Sequence, residues 1–362
     1  MRSIKHNERG FSLMELLVAV ALGLIVLAAT TQLFKNGMDA TILVTQSSEM
    51  QQNARATLNL IAKDVSMAGS GLPSGGVALP FGAGSTPSFF AVDGNRAWLG
   101  ANTYPTNFMY GIIPGPGNGM ESGGPSTVAA TNTASDAITV VYADYAFPLN
   151  QYTVTFPATN PNGDLIQLAP PAAPPVGFPA IQSPTGLQVG DLILLTNNIG
   201  SAVGEITGIA PSGTNTNITF ANLDPLRMNQ SGAARGNILY MKGGGTTVAN
   251  RIWAVTYFLE VPAASTLQPP RLMRQVNGQT PQPVADNIIN LKITYDMCDG
   301  TNGPNCSNVP NPLNAPFSPT QIHKVNIQVM AQTLTSYGNK SRSTVLATSV
   351  STRSLSFKDR YQ

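Results

Sequence analysis

The sequence predicts an α+β protein. A long N-terminal α-helix spans a membrane with its first half and packs its second half on a large, mostly antiparallel β-rich head. Three observations carry this reading. From Phe11 to Phe34 the only ionisable residue is Glu15, in a run that is mostly apolar. The chain then keeps apolar residues in steps of three and four to about residue 69, the mark of one helix face. Beyond residue 135, short β-branched and aromatic segments recur between turns rich in Asn, Gly and Pro, as strands of one or more sheets do.

Composition narrows the function classes. Of 362 residues, 42% are hydrophobic, enough for a sizeable core, and only 10% are charged, against a usual quarter. The polar surface must come from Asn, Thr, Ser, Gln and Gly, as in many exported proteins. A net charge of +2 supplies no field for a polyanion. The two histidines are His6 and His323, and the two cysteines are Cys298 and Cys306. No HExxH, GxSxG, P-loop or Cys/His metal spacing occurs. The expectation is a non-enzymatic chain without cofactor or bound metal.

The first element is the run "RGFSLMELLVAVALGLIVL". After Glu15, 19 uncharged residues reach Phe34, close to the ~20 that cross a ~30 Å hydrocarbon core. Arg2, Lys5 and Arg9 outweigh Glu8 before it, so the N-terminus should stay cytoplasmic. A secretory signal peptide would have a shorter apolar core followed by a small-residue cleavage site; here Gly10-Phe11 precedes the core instead. A carboxylate within a bilayer costs roughly 2.5–3.5 kcal/mol on insertion scales, so Glu15 needs a partner. Cutting after Gly10 would create one, the α-amino group of Phe11, most usefully that of a neighbouring subunit.

This stretch resembles the class III signal of type IV pilins and type II secretion pseudopilins, with Gly10, Phe11 and Glu15 at the motif positions. The resemblance implies removal of residues 1–10 by prepilin peptidase, N-methylation of Phe11 and an assembly contact through Glu15. It also gives the fold class its family name, pilin-like.

The second element is the amphipathic stretch 35–69. Met50, Ala54, Leu58, Ile61, Val65 and Ala68 share a helix face, and Gly69 and Gly71 end it. One helix from Phe11 to Ala68 would be ~85 Å long; two helices split at Gly37 are the alternative. "QQNARATLNLIAKDVSMAG" is similar to a stretch of PilW-type minor pilins and J-type pseudopilins at Gln52, Ala54, Arg55, Leu58, Asp64, Val65, Ala68 and Gly69. It departs at Ser66, where that family usually has Arg. Arg55 and Asp64 read mainly as solvated helix-face residues.

Residues 70–135 read as a Gly/Pro-rich irregular insertion that Trp98, Phe108 and Tyr110 tie to the head. The β-rich head follows over 136–362. "AITVVYADY", "YTVTF", "VGDLILLTN", "AVGEITGIA", "NITF", "GNILYMK", "RIWAVTYFLEV" and "RLMRQV" read as strands. In the later strands Leu291, Ile293 and Tyr295, then Val325, Ile327, Val329 and Ala331, alternate with polar neighbours, one face buried and one wet. Cys298 and Cys306 bracket a Gly/Asn turn and should form a disulfide in an oxidising compartment, contributing roughly 2–3 kcal/mol by loop closure. Asp296, Asp299, Asn302 and Asn305 leave calcium open there, without an EF-hand pattern.

The PilW resemblance implies a minor pilin that primes type IV pilus assembly and lies at or near the tip. The implied partners are the other minor pilins, the major pilin, the assembly platform and a PilY-type tip adhesin. The location would be the inner membrane first, with the head periplasmic, and then the fibre tip. A J-type pseudopilin of a type II secretion system is the alternative. From another class, a tip ligand- or DNA-binding module would need a basic stripe. Nucleic acid is not expected, since Arg271, Arg274, Lys358 and Arg360 would have to meet in space.

Overall fold

The computed structural model describes residues 11–80, 97–98, 108–117, 119–122, 135–158, 164–222, 224–226, 228–232, 234–261, 270–298, 306–314, 316–333, 342–352 and 354–355. The chain divides into two compact units, one holding the helix up to Glu49 and the other the head from Met50. The fold is the expected α+β: one long N-terminal helix, apolar at its start, followed by a large antiparallel β-rich head.

The helix, α1, runs without interruption over Leu13–Met67. Gly37 lies inside it with open space where a Cβ would stand; a helical glycine costs about 1 kcal/mol against Ala and does not break the element. In the first unit the apolar side chains, from Leu13 through Phe34, are exposed. The hydroxyls there are satisfied locally. Thr31, Thr41 and Thr45 each donate to the carbonyl four residues back at 2.8–3.0 Å, and Thr30 reaches Val26 O and Leu27 O. Such back-bonding hides a polar atom that hydrocarbon could not solvate.

In the second unit the helix becomes one-sided. Met50, Ala54, Leu58, Ile61, Val65 and Ala68 are buried, while Gln51, Gln52 and Arg55 are exposed. The buried stripe joins Ile138, Val140, Val255, Tyr257, Leu291 and Val329 in the largest apolar core. The helix stops because Gly69 and Gly71 take left-handed conformations, φ +75° and +74°, which cost glycine nothing. The Gly69 N–H donates to Val141 O at 2.8 Å, turning the chain onto the sheet.

The strand Val248–Val261 is the spine of the main sheet. It pairs antiparallel with Ala137–Asp144 and, successively, with Leu192–Thr196 and Arg271–Val276; Ser201–Glu205 and Gln282–Asp286 extend the sheet. A second sheet orders Ser307–Val309, Ile288–Met297, Ile322–Gln332 and Ser343–Ser351, all antiparallel. Its alternation is the expected one: Leu291, Ile293, Tyr295, Val325, Ile327, Val329 and Ala331 are all buried. A small sheet of Thr153–Thr155, Leu165–Ala169, Gly208–Ser212 and Asn215–Thr219 covers its own core around Ile166, Leu168, Ile218 and Phe220.

Two sequence expectations change. "GNILYMK" is not a strand: Ile238–Met241 forms a 3-10 turn. Gly236, Gly243 and Gly245, all at positive φ, confine it to one turn, and Ile238 and Met241 point inward at the spacing of three that this helix eclipses. The tract 70–135 is also less irregular than expected. Among its described residues, Ile112–Gly115 pairs with the Ala137–Asp144 strand, and Met120–Ser122 runs parallel to Leu259–Val261. Its glycines serve close approach as well as turns: a Cβ on Gly111 would lie 2.5 Å from Gly69 Cα, and one on Gly119 would lie 2.0 Å from Asp136 O. Phe108 lies 6.2 Å from Tyr110 and stacks under Arg235. For Trp98, only its backbone place in a two-residue strand is described.

The head also holds a pair of buried acids. Glu205 and Asp224 share a hydrogen bond, and burial, more than the neighbouring Asp224, pushes the Glu205 carboxyl up to about 9. Its Oε2 accepts the Leu226 N–H, while Asp224 accepts the N–H groups of Met228 and Asn229. At neutral pH Glu205 therefore keeps its proton in the fold and loses it in the unfolded chain. A raised folded-state value gives stability that is full below the ordinary carboxyl range and drains as pH rises toward 9. The thermal midpoint should fall between pH 5 and pH 9, and Glu205→Gln, which keeps a donor toward Asp224, should flatten that fall. Melts across this range check it.

Candidate functional site

Two places on α1 carry the functional candidates. At its start the Ser12 N–H donates to Glu15 Oε2 at 3.3 Å, and Ser12 O accepts the first helical N–H groups. The carboxylate thus caps its own helix end, a favourable place for a negative charge, and remains exposed together with Phe11. Around it Leu13, Leu16, Leu17, Val20 and Leu24 form an uncovered apolar surface. By length and composition this helix can cross a membrane. Gly10 lies outside the described residues.

At the other end of α1 the structure assigns a residue differently from its sequence reading. Asp64 is buried, 3% exposed, rather than solvated; Arg55 is exposed as expected. The Asp64 Oδ2 accepts the Tyr257 hydroxyl at 2.6 Å and the Arg274 Nε and Nη2 groups at 3.3 and 3.2 Å. The Oδ1 accepts the Tyr142 hydroxyl at 3.3 Å. These donors come from three adjacent strands, with Tyr257 directly opposite Arg274 in the register. Burial first, and then the Asp64 charge, push the Tyr142 phenol up to about 12 and raise Tyr257 as well. Both phenols therefore stay protonated and donate. A buried carboxylate is tolerated only when so paired. The cluster has the chemistry of a clamp: a fixed carboxylate with its acceptor capacity filled, holding the helix on the sheet.

The remaining candidates are structural. Cys298 and Cys306 form a disulfide with Cα atoms 4.5 Å apart. Their sulfurs and a ring nitrogen of His323 lie within 4.8 Å of one another, but sulfurs bonded to each other are not thiolate ligands. Asp296 Oδ1 is taken by the side-chain amides of Asn308 and Asn326, at 2.7 and 2.9 Å; Asp299, Asn302 and Asn305 lie outside the described residues. Arg271 and Arg274, offered as parts of a basic stripe, are committed to Glu260 and Asp64. Lys358 and Arg360 also lie outside the described residues.

A membrane-length apolar helix with an acid at its start, followed by a β-rich head, is a pilin-like α+β architecture. Residues 5–31 match the prokaryotic N-terminal methylation motif, which carries the prepilin signal. The motif implies processing by prepilin peptidase, membrane anchoring before assembly, and assembly with other pilins. Neither the curated proteins nor the solved structures give a match to this chain.

Proposed function

We propose that the chain is a PilW-type minor pilin, a non-enzymatic subunit that primes type IV pilus assembly and stays at or near the fibre tip. The observation that carries this reading is the head, which takes four sheets among the described residues and spans 50–332 and 343–362. Such bulk hinders a further subunit from stacking above it and suits a cap better than a repeating shaft unit. In this reading the helix waits in the inner membrane with its N-terminus cytoplasmic and its head periplasmic. Prepilin peptidase then frees the Phe11 amine, which is methylated and keeps its charge. On entry into the fibre, Glu15 pairs with the Phe11 amine of a neighbouring subunit, and the apolar surface from Leu13 to Leu24 leaves lipid for other pilin helices. The partners are the other minor pilins, the major pilin, the assembly platform and a PilY-type adhesin.

A deletion strain complemented with a chain tagged in its head tests this. Loss of surface pili on deletion, with the tag at fibre ends after complementation, is the expected result. Intact pili with lost type II secretion would assign the chain to a pseudopilus as a J-type subunit. Label along the whole shaft would contradict the cap.

A further inference from the structure

The head carries a cleft that the assembly reading leaves unused. It lies between the turn that leads to Asp191 and the first half of the strand Val248–Val261, and measures about 640 Å³, within the ~300–1,000 Å³ typical of small-molecule sites. Its floor is Arg251, 8% exposed. The guanidinium binds Asp144 through Nε and Nη2 at 2.7 and 2.5 Å, and Nη1 donates to Gly186 O at 2.8 Å. It also lies against the Phe147 and Trp253 rings, 5.3 and 4.9 Å from their centroids. Asp191, 4% exposed, is the less well paired acid. Its Oδ2 accepts the Gln188 N–H at 3.0 Å and stands 3.6 Å from Arg251 Nη1. Among the described residues no donor reaches its Oδ1, and Asp191 lines the cleft. Burial raises the Asp191 carboxyl above its usual range. Thr185, Gln188 and Gln279 form an exposed polar rim. Gly190, at φ +90°, lets Gln279 lie across the turn, where a Cβ would come within 2.8 Å of its Nε2.

This chemistry selects a ligand class. An anion would meet the Asp191 carboxylate and a guanidinium already neutralised by Asp144, and a cation would meet that guanidinium, seated on the aromatic rings. A purely apolar group would strip water from buried charges without replacing their hydrogen bonds. A neutral polyol does replace them: its hydroxyls donate to Asp191 Oδ1 and exchange hydrogen bonds with the amides of Gln188 and Gln279, while its C–H surface meets Pro179, Pro184 and Trp253. We propose that this cleft binds a neutral sugar unit of a surface glycan. The inference rests on the head alone and does not require the tip placement.

The test uses the full mature chain, purified in a detergent without a sugar headgroup. Cellobiose, lactose and N,N′-diacetylchitobiose are the probes, read by saturation-transfer NMR and calorimetry. At least one should bind in the millimolar range or tighter. Asp191→Asn and Gln279→Ala should each weaken it about tenfold, the loss of one hydrogen bond that leaves a polar group unpaired. Gln279 is exposed, so its variant should melt like the parent and separates lost binding from lost folding. No transfer from any of the three sugars would overturn the proposal, as would binding that both variants keep. Stronger binding of sialyllactose or glucosamine would mean that the cleft is built for a charge.

Discussion

A chain carrying Glu15→Val is expected to be trimmed at Phe11 and to sit stably in the membrane, yet to fail in pilus initiation. Processing depends on the Gly10-Phe11 junction, whereas Glu15 contributes a charge that lipid disfavours by roughly 2.5–3.5 kcal/mol on insertion scales. Valine removes that cost and makes the helix more content in lipid. It also removes the partner for the Phe11 amine of the next subunit, the interaction that gives the carboxylate a reason to be there. Among the described residues the Glu15 side chain accepts one hydrogen bond, the long one from the Ser12 N–H. The helix begins at Leu13 and has other good formers throughout, so the substitution should not unwind it. Glu15→Asp should fall between the two, its charge kept but its reach shorter. Piliation is counted by electron microscopy in a strain lacking the parent copy. Full piliation with Glu15→Val would mean that the subunit enters by head contacts alone.

Asp64→Ala is expected to destabilise the head by about 3–5 kcal/mol, the usual cost of removing one partner from a buried ion pair. The loss leaves the Tyr142 and Tyr257 hydroxyls without their acceptor and the Arg274 guanidinium without its counter-charge. It also leaves a hole in the core beside Ile61 and Val65. Asp64→Asn should cost less, since one acceptor oxygen survives for the phenols, but the neutral amide no longer balances Arg274. Denaturant unfolding of the purified chain reads the difference. A change below about 0.5 kcal/mol, as for an ordinary surface substitution, would mean that the helix is held by its apolar stripe alone.

Asp64 also shows what the sequence displayed and what it concealed. It stands three residues after Ile61 and beside Val65, on the very face that Met50, Ala54 and Leu58 define. Helical spacing therefore placed it inward, while its charge argued for solvent. Its partners decide the matter, and Tyr142, Tyr257 and Arg274 are 78 to 210 residues away in sequence. No local pattern announces them. The apolar stripe and the glycine stop at Gly69 were legible because period and left-handed φ are local properties. The alternation in Leu291–Tyr295 and Val325–Ala331 was legible for the same reason. The segment Ile238–Met241 misled because four apolar residues fit a strand or a 3-10 turn equally well, and only the flanking positive-φ glycines choose between them. The tract before residue 135 misled because Gly111 and Gly119 look like loop residues when in fact the backbone must approach there too closely for any side chain. The cleft at Arg251 was not legible at all: Asp144 and the turn that carries Gly186 and Asp191 reach it from segments far apart in sequence.

The N-terminal stretch acts as a prepilin signal in this proposal, and the working subunit begins after it. Intact-mass and peptide mass spectrometry of the chain recovered from the cell envelope test this most directly. The expected mature protein begins at Phe11, lacks residues 1–10, and carries one added methyl group on the Phe11 amine. A chain that retains Met1–Gly10, or one cut within or after the apolar run, would contradict it.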